Sequence, residues 1–279
     1  MSCMNILELP EECLSHILSL TSPVDVLRSQ LVSKQFYLAS GSNTVWEKFL
    51  PSACADEIIS RSSVSSIVHQ LTSKKDLFTH LCRSILLNNN TQSFGLDKWI
   101  GKNCYMLGAR ALMITWGGTP QYWSWSAVPE SRFPEAAVLE NVCWLDIKGK
   151  MHTKVLSPKT TYGAYFVFKM DDDNHQGFEY TPVNVSISEV TEEGLPTQDY
   201  TVVVKKFYLK EPSVRRLSRR PEELPVTRGD GWMEIEMGRY QVGADADQGV
   251  VLEMSLRQVE DLNWKRGLIV HGIELRPLD

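Results

Sequence analysis

The feature that most constrains the fold is a change in the spacing of apolar residues about a third of the way along the chain. Before a polar, turn-prone tract at residues 88–93, apolar residues recur at helical spacing, as in Leu14, Ile17 and Leu18. After the tract, apolar and polar residues alternate, as they do along residues 162–168. Because a period of two is typical of a half-buried strand, the chain predicts a helical module followed by a β-rich domain.

Local capping signals support short helices in the first part. Ser22–Asp25 reads as a cap residue, a proline at the first helical position and a carboxylate near the positive end of the helix. The pairs Thr44/Glu47 and Ser73/Asp76 have the spacing of a capping box. Several short capped helices indicate a compact module rather than one long rod.

The second part reads as an antiparallel β-sandwich. The runs predicted as strands lie at residues 162–168, 183–187, 201–204, 233–237, 252–256 and 269–275. They are short, they are separated by turn residues, and no helical pattern lies between them. This part is long enough to bury a core of its own.

Composition and charge exclude several classes of function. The chain of 279 residues has 29 Lys and Arg against 34 Asp and Glu, a net charge of −5, which disfavours a nucleic-acid-binding or anionic-membrane surface. No apolar run approaches the roughly 20 residues of a membrane span, and the N-terminus does not read as a secretory signal. The six cysteines lack C-x-x-C spacing, so we expect reduced thiols in a protein of the cytoplasm and nucleus.

The first 50 residues resemble an F-box. The residues that carry the resemblance are Leu9-Pro10-Glu11-Glu12, Ser22-Pro23-Val24-Asp25, Leu31-Val32-Ser33-Lys34, Phe36 and Trp46. The resemblance implies docking onto the Skp-type adaptor of a cullin-RING ubiquitin ligase. The adaptor-binding residues it implies are Leu9, Pro10, Leu14, Ile17, Leu18 and Pro23. Spacing alone does not separate core positions from interface positions among them.

Residues 93–279 resemble the phloem-lectin domain related to the tobacco lectin Nictaba. The resemblance is carried by Gly101–Leu107, Ile114-Thr115-Trp116, Pro120–Trp125, Trp144–Lys150, Asp230–Ile235 and Gly272–Pro277. Together the two resemblances indicate the F-box phloem-lectin proteins of plants. They imply an α+β chain in two domains: an F-box over residues 1–50, a helical linker over 51–92 and a jelly-roll-like lectin sandwich over 93–279.

The lectin resemblance also implies a carbohydrate site. Trp116 and Trp123 flank a turn, and indole faces stack on the apolar face of a pyranose ring, including that of N-acetylglucosamine. The alternative is that they are core aromatics, as we expect for Trp125, Trp144 and Trp232. The two carboxylates of the family site align with Val251 and Gln258, which cannot replace them. Glu253, on the same strand face as Val251, is a substitute that the sequence offers, and Glu260 and Asp261 lie just beyond it, which leaves a shifted site open.

Other motifs are weaker. Residues 205–220 form a basic stretch that reads as a nuclear-import patch, a kinase site at Ser218 or a solvated loop. The run Asp171–Asn174 lacks the pattern of a calcium loop, and the histidines lack metal-ligand spacing. No nucleophile elbow, P-loop or dinucleotide fingerprint is present, so we expect no catalytic residue, metal or cofactor.

The sequence therefore predicts a non-catalytic substrate-recognition subunit of a ubiquitin ligase. Its partners would be the Skp-type adaptor and a target protein or glycoprotein carrying N-acetylglucosamine-containing glycans. Two alternatives stay open: a cytoplasmic and nuclear lectin that acts outside any ligase, and a carbohydrate-active hydrolase, which would need two facing carboxylates.

Overall fold

A computed structural model describes residues 6, 9–51, 58, 60–62, 71–191, 193–195, 197, 203–210, 224–244 and 250–278. The chain divides into two compact units, Met1–Asn89 with Phe94–Cys104, and Asn90–Ser93 with Tyr105–Leu278. The predicted division at residues 50 and 92 stays a prediction. None of the helices in the described ranges is long and apolar enough to cross a membrane.

The first unit contains five described helices. They are α1 (Glu11–Ser19), α2 (Pro23–Ser29), α3 (Lys34–Ser40), α4 (Asn43–Glu47) and α5 (Lys74–Leu81).

Two of the three predicted helix caps are confirmed. The Ser22 hydroxyl accepts a hydrogen bond from the backbone N–H of Asp25, and that of Ser73 accepts one from the N–H of Asp76. The capping box predicted at Thr44 is wrong, because α4 already begins at Asn43 and has Ser42 at its N-cap position without a side-chain cap bond. A cap depends on where the helix begins, and a shift of one residue moves Thr44 inside the helix.

The core of this unit is built around Trp46. Its ring packs at 5.2 Å from that of Phe78 and at 5.9 Å from that of Phe49, and its Nε1 donates to the carbonyl oxygen of Ser40. A buried tryptophan normally needs such an acceptor, so this bond fixes the orientation of the indole inside the unit.

Fourteen strands follow in the described part of the chain. They are β1 (Ile85–Leu87), β2 (Gln92–Leu96), β3 (Asn103–Gly108), β4 (Met113–Ile114), β5 (Trp123–Ser126), β6 (Ala136–Leu139), β7 (Leu145–His152), β8 (Thr161–Met170), β9 (Val183–Val190), β10 (Val203–Phe207), β11 (Val226–Thr227), β12 (Met233–Gln241), β13 (Val251–Gln258) and β14 (Leu268–Pro277).

In the second unit these strands form two sheets. One has the order β3-β14-β8-β12-β11, with β6 also paired to β14 and β5 to β6; the other has the order β10-β9-β13-β7-β4. The pairings with a recorded register are antiparallel. The predicted α+β class with an antiparallel β-sandwich is confirmed.

The inward faces of the two sheets supply the core. Phe166 and Phe168 stack at 5.6 Å on β8, and Met254 and Leu256 on β13 are fully buried. Burial of these alternating residues is the main stabilising contribution to a sandwich. The register of β14 against β8 shifts between Val270 and Gly272, which makes His271 a bulged residue.

Candidate functional site

The turn that follows β4 places Trp116 in an unusual backbone conformation. Its φ is +61°, in the left-handed region that bulky residues rarely adopt. The turn is closed by hydrogen bonds from the N–H of Gly117 to the carbonyl of Ile114 and from the N–H of Thr119 to the carbonyl of Trp116. Such a conformation costs about 1–3 kcal/mol and persists only when its surroundings impose it.

Two tryptophans of β5 impose it. The Nε1 of Trp123 donates to the carbonyl oxygen of Thr115 at 3.2 Å, and the Nε1 of Trp125 donates to that of Gly117 at 2.9 Å. An indole therefore holds the carbonyl oxygen of each of the two residues that flank Trp116. Each of the two indoles lies eight residues after the carbonyl group that it binds.

Trp123 itself does not present a surface to a ligand. Only 2% of it is exposed, and it pairs with the equally buried Leu139 of β6. Of the two interpretations that the sequence left open for Trp123, the core position is the one that the structure shows. In any sugar site, Trp123 would contribute by holding the turn that carries Trp116, through its hydrogen bond to the carbonyl of Thr115.

Trp116 is open to solvent, with 44% of its surface exposed. Its ring lies 5.1 Å from that of Tyr122 at an interplanar angle of 36°. Tyr122 was missed at the sequence level, although the alternation of Tyr122 and Ser124 with the inward Trp123 and Trp125 would have placed it on the outer face of a strand. The two rings form an apolar platform on the surface, which is the usual chemistry of a sugar-stacking site.

The outer face of the β5–β6 hairpin also carries a carboxylate. The N–H of Glu140 donates to the carbonyl of Tyr122 at 2.9 Å, so the two residues lie opposite each other across the hairpin. The hydroxyl of Ser124 donates to Oε1 of Glu140. Because Trp123 and Leu139 point inward, the side chains of Tyr122, Ser124 and Glu140 share the outer face.

The structure does not bring Glu253 to this platform. Its carboxylate is held by Lys148 at 3.4 Å and by Lys150 at 3.3 Å, on the outer face of the second sheet. Ile114 of β4 and Leu256 of β13 both pair with Ile147 of β7. The turn that carries Trp116 follows β4, so it lies near the Leu256 end of β13. Glu253 thus lies toward the far end of β13 from the turn.

The two positions aligned with the missing carboxylates are also far apart. At about 3.3 Å of rise per residue, Val251 and Gln258 are about 23 Å from each other along β13. Both side chains are buried. A single sugar ring cannot contact residues at both ends of this strand.

The burial of the three tryptophans predicted as core residues, Trp125, Trp144 and Trp232, agrees only in part with the prediction. Trp232 is buried, as predicted, and Trp125 is half-buried beneath the guanidinium of Arg110. The prediction of a core position for Trp144 is wrong, because this residue precedes β7 and its side chain is exposed.

The six adaptor-binding residues that the sequence suggested fall into two groups. Leu14, Leu18 and Pro23 are buried, so they belong to the core of the helical unit. Ile17 and Pro10 are exposed and Leu9 is half-buried. Direct contact with an adaptor stays a prediction for these last three.

The helical unit exposes many more apolar side chains than the sequence pattern indicated. Leu31, between α2 and α3, is 90% exposed, and Val32 beside it is also largely exposed. The other exposed apolar residues of α1–α3 and their connections are Ile17, Leu20, Leu27, Tyr37 and Leu38. Exposed apolar side chains in this number on one small unit are typical of a surface that binds another protein.

Two further sequence motifs bear little on the site. In the basic stretch, Lys205 and Lys206 belong to β10, and Lys205 forms an ion pair with Glu236 at 2.9 Å. Residues 211–220, with the suggested kinase site at Ser218, lie outside the described residues. Within the described ranges, no group of three or more His, Cys, Asp or Glu side chains is arranged to hold a metal ion.

Comparison with known proteins connects both units to known families. Residues 102–277 match the family described as phloem protein 2, and residues 6–52 match the family described as F-box-like. The chain is 40% identical over 269 residues to F-box protein PP2-B10 of Arabidopsis thaliana, covering 96% of this chain and 92% of that protein. It is 38% identical over 283 residues to F-box protein PP2-B15 of the same plant, covering 96% of each.

Similarity to solved structures is weak. A family 35 carbohydrate binding module from Clostridium thermocellum matches with a TM-score of 0.33 and 10% identity, over 62% of this chain and 96% of that one.

Proposed function

The chain belongs to the phloem protein 2 family and carries an F-box-like module, and from this premise we propose that it is the substrate-recognition subunit of a cullin-RING ubiquitin ligase. The helical unit binds a Skp-type adaptor. The β-sandwich captures a target protein, through a glycan that contains N-acetylglucosamine. The observation that carries the proposal is that each unit exposes apolar groups that a folded protein ordinarily buries.

The exposed apolar surface of the helical unit supports adaptor binding. Leu31 and Val32 lie in the connection between α2 and α3, where most of the surface of each side chain is exposed to solvent. Burying such side chains against a partner gains roughly 25 cal/mol for each Å² of apolar area removed from water. An adaptor that covers this surface would bury these side chains, and that burial would stabilise the complex.

The platform of Trp116 and Tyr122 supports glycan capture. A surface indole held in a strained turn by hydrogen bonds from two other indoles, one buried and one half-buried, is typical of a side chain that is positioned for binding rather than for packing. Since the exposed face of Trp116 is apolar and flat, it suits the apolar face of a pyranose ring or an N-acetyl methyl group.

In this proposal the protein performs no chemistry. It holds a target close to the ligase and raises the effective concentration of the target's lysines. The proposal includes a location in the cytoplasm and nucleus, where cysteines such as Cys13, Cys82 and Cys143 stay as reduced thiols.

Reconstitution tests the proposal. Full-length protein would be combined with a plant Skp-type adaptor, cullin, RING subunit and ubiquitin-conjugating enzyme, with a glycoprotein bearing terminal N-acetylglucosamine as target. We expect ubiquitin transfer that is lost when the glycan is removed or when Trp116 is replaced by Ala. Glycoprotein binding without adaptor binding would instead support the lectin that acts outside a ligase, and turnover of the glycan would support the hydrolase.

A further inference from the structure

The platform lies beside a carboxylate that no resemblance assigns. Tyr122 and Glu140 face each other across the β5–β6 hairpin, and directly opposed residues of an antiparallel pair have Cβ atoms about 5 Å apart. The ring of Trp116 lies against that of Tyr122 at 5.1 Å. Trp116, Tyr122 and Glu140 therefore form one continuous surface.

We propose that Glu140 is the hydrogen-bond acceptor of this site and that it restricts the ligand to neutral glycans with free hydroxyl groups next to the stacked face. The inference rests on the proposed glycan capture and specifies the residue and the ligand class for it. Glu140 replaces the two carboxylates that are missing from β13.

The carboxylate is oriented and has acceptor capacity to spare. Its Oε1 accepts from the hydroxyl of Ser124, which holds the side chain along the hairpin face. Its Oε2 has no hydrogen-bond partner within the described part of the chain, and the side chain is exposed. Since a carboxylate offers about four lone-pair positions, Glu140 can accept bonds from two neighbouring sugar hydroxyls.

Charge defines the class of ligand. Within the described ranges Glu140 takes part in no ion pair, whereas Glu253 on β13 is neutralised by Lys148 and Lys150. An unpaired negative charge at the edge of the platform repels a carboxylate or sulfate on a sugar. Its hydrogen bonds to neutral hydroxyls are charge-assisted and stronger than those of a neutral acceptor.

The arrangement of the rings favours a sugar over a basic side chain. A site that surrounds an ammonium group places several aromatic faces around it. Here Trp116 and Tyr122 pack on each other with an interplanar angle of 36°, which leaves a platform rather than a cage. The apolar C–H face of a pyranose chair can stack on a platform, and its equatorial hydroxyls then lie at the edge of the stack, where a neighbouring carboxylate can accept from them.

The test uses the full-length protein and three probes: triacetylchitotriose, trigalacturonic acid and trilysine, measured by calorimetry. We expect the parent to bind triacetylchitotriose and to reject trigalacturonic acid. Glu140→Gln keeps the size and the bond to Ser124 but loses the charge, so its affinity for triacetylchitotriose should fall roughly tenfold. Glu130→Gln removes an exposed carboxylate from the connection between β5 and β6 and should leave the affinity unchanged.

Monodeoxy analogues of triacetylchitotriose separate a binding role from a structural one. Removing the hydroxyl that Glu140 contacts should weaken binding to the parent but not further weaken binding to Glu140→Gln. If the parent binds triacetylchitotriose and Glu140→Gln binds it equally well, the inference is overturned while glycan capture stands. If the parent binds trilysine and no sugar, both the inference and the proposed capture of glycans fail.

Discussion

The indole nitrogen of Trp123 donates its hydrogen bond to the carbonyl oxygen of Thr115, the residue that immediately precedes Trp116. This single bond joins a core residue of β5 to the strained turn on the surface. Trp125 repeats the relationship with Gly117 on the other side. Spacing alone does not distinguish Trp116 from Trp123, but their roles differ. Trp116 is exposed on the surface, and Trp123 is buried and holds the turn of Trp116 in place.

Replacing Trp123 should cost stability rather than a ligand contact. Trp123→Ala removes a buried indole from between the sheets and should lower the free energy of unfolding by about 3–5 kcal/mol. Urea unfolding followed by circular dichroism measures this loss. The matched substitution, Trp116→Ala, removes an exposed ring and should cost far less; equal losses for the two variants would refute the division between display and support.

The strain at Trp116 makes an unusual prediction about glycine. At a φ of +61°, glycine pays no steric penalty, so Trp116→Gly should be more stable than Trp116→Ala by about 1 kcal/mol. Both variants lack the ring and should fail to be retained on immobilised chitin oligomers. If Ala is the more stable of the two, as it is at ordinary positions, the left-handed turn is not imposed on Trp116.

These residues also show what the sequence could and could not predict. The caps at Ser22 and Ser73 were predictable because a cap involves residues three positions apart. The strands of the sandwich were predictable from alternation. The meeting of Tyr122 with Glu140 was not, because it depends on the register of a hairpin whose connection spans residues 127–135.

The surroundings of Glu253 were not predictable for the same reason. Alternation gives its strand face, yet only the pairing of β13 with β7 reveals that two lysines hold its carboxylate. Similarly, Leu14 and Ile17 share a helical stripe in the sequence, and only packing shows that one is buried and the other exposed.

The exposed connection between α2 and α3 is the best place to test adaptor binding. Replacing Leu31 and Val32 with Ser removes two apolar anchors, each worth on the order of 1–2 kcal/mol at an interface, so adaptor affinity should fall at least tenfold. The thermal stability of the protein should not fall, because neither side chain is buried. Surface plasmon resonance with the purified adaptor measures the effect.

Two control variants make this result specific. Val226→Ser removes a similarly exposed apolar side chain from β11 of the sandwich and should not affect adaptor binding. Leu14→Ala should lower stability by about 2–5 kcal/mol, because Leu14 is fully buried. Unchanged adaptor affinity in the Leu31/Val32 variant would exclude this surface as the docking site.

Lys265 should contribute strongly to the stability of the fold by anchoring the loop that precedes β14. Its side chain is fully buried, and its Nζ donates to the carbonyl oxygens of Cys143, Asp261 and Asn263. Lys265→Met fills a similar volume but leaves three carbonyls without their donor, which should cost roughly 2–4 kcal/mol of unfolding free energy. Arg266→Met, at an exposed neighbouring position, is the control, and equal stability of the two variants would contradict the role of the buried ammonium.

The bulge of β14 makes the stability of the sandwich sensitive to acid. His271 is 2% exposed and its ring stacks on that of Trp232 at 4.1 Å, with Phe133 against its edge. Neither ring nitrogen has a hydrogen-bond partner within the described residues. Burial, reinforced by the nearby guanidinium groups of Arg132 and Arg228, lowers the pKa of His271 from 6.5 to about 3.

The direction of the pH effect follows from where the proton binds. The unfolded chain takes up a proton on this histidine below about pH 6.5, whereas the folded chain keeps the ring neutral until about pH 3. The stabilising effect of the neutral ring is therefore complete above pH 6.5 and is lost as the pH falls toward 3, by roughly 2–3 kcal/mol between pH 7 and 4.5. Asp230 acts to raise the pKa of His271 and Lys169 acts to lower it, and the net shift remains downward.

Urea unfolding of the full-length protein at pH 7 and at pH 4.5 measures this dependence. His271→Phe retains an aromatic ring against Trp232 but cannot bind a proton, so it should lose less stability than the parent on acidification, by about the 2–3 kcal/mol assigned to the histidine. His152→Gln, at an exposed position, should keep the slope of the parent. Carboxylates also titrate in this pH range, and they are the same in all three proteins. The informative quantity is therefore the difference between the proteins in the unfolding free energy lost between pH 7 and 4.5. A His271→Phe protein with the same acid sensitivity as the parent would show that the neutral state of this ring does not contribute to the stability of the fold.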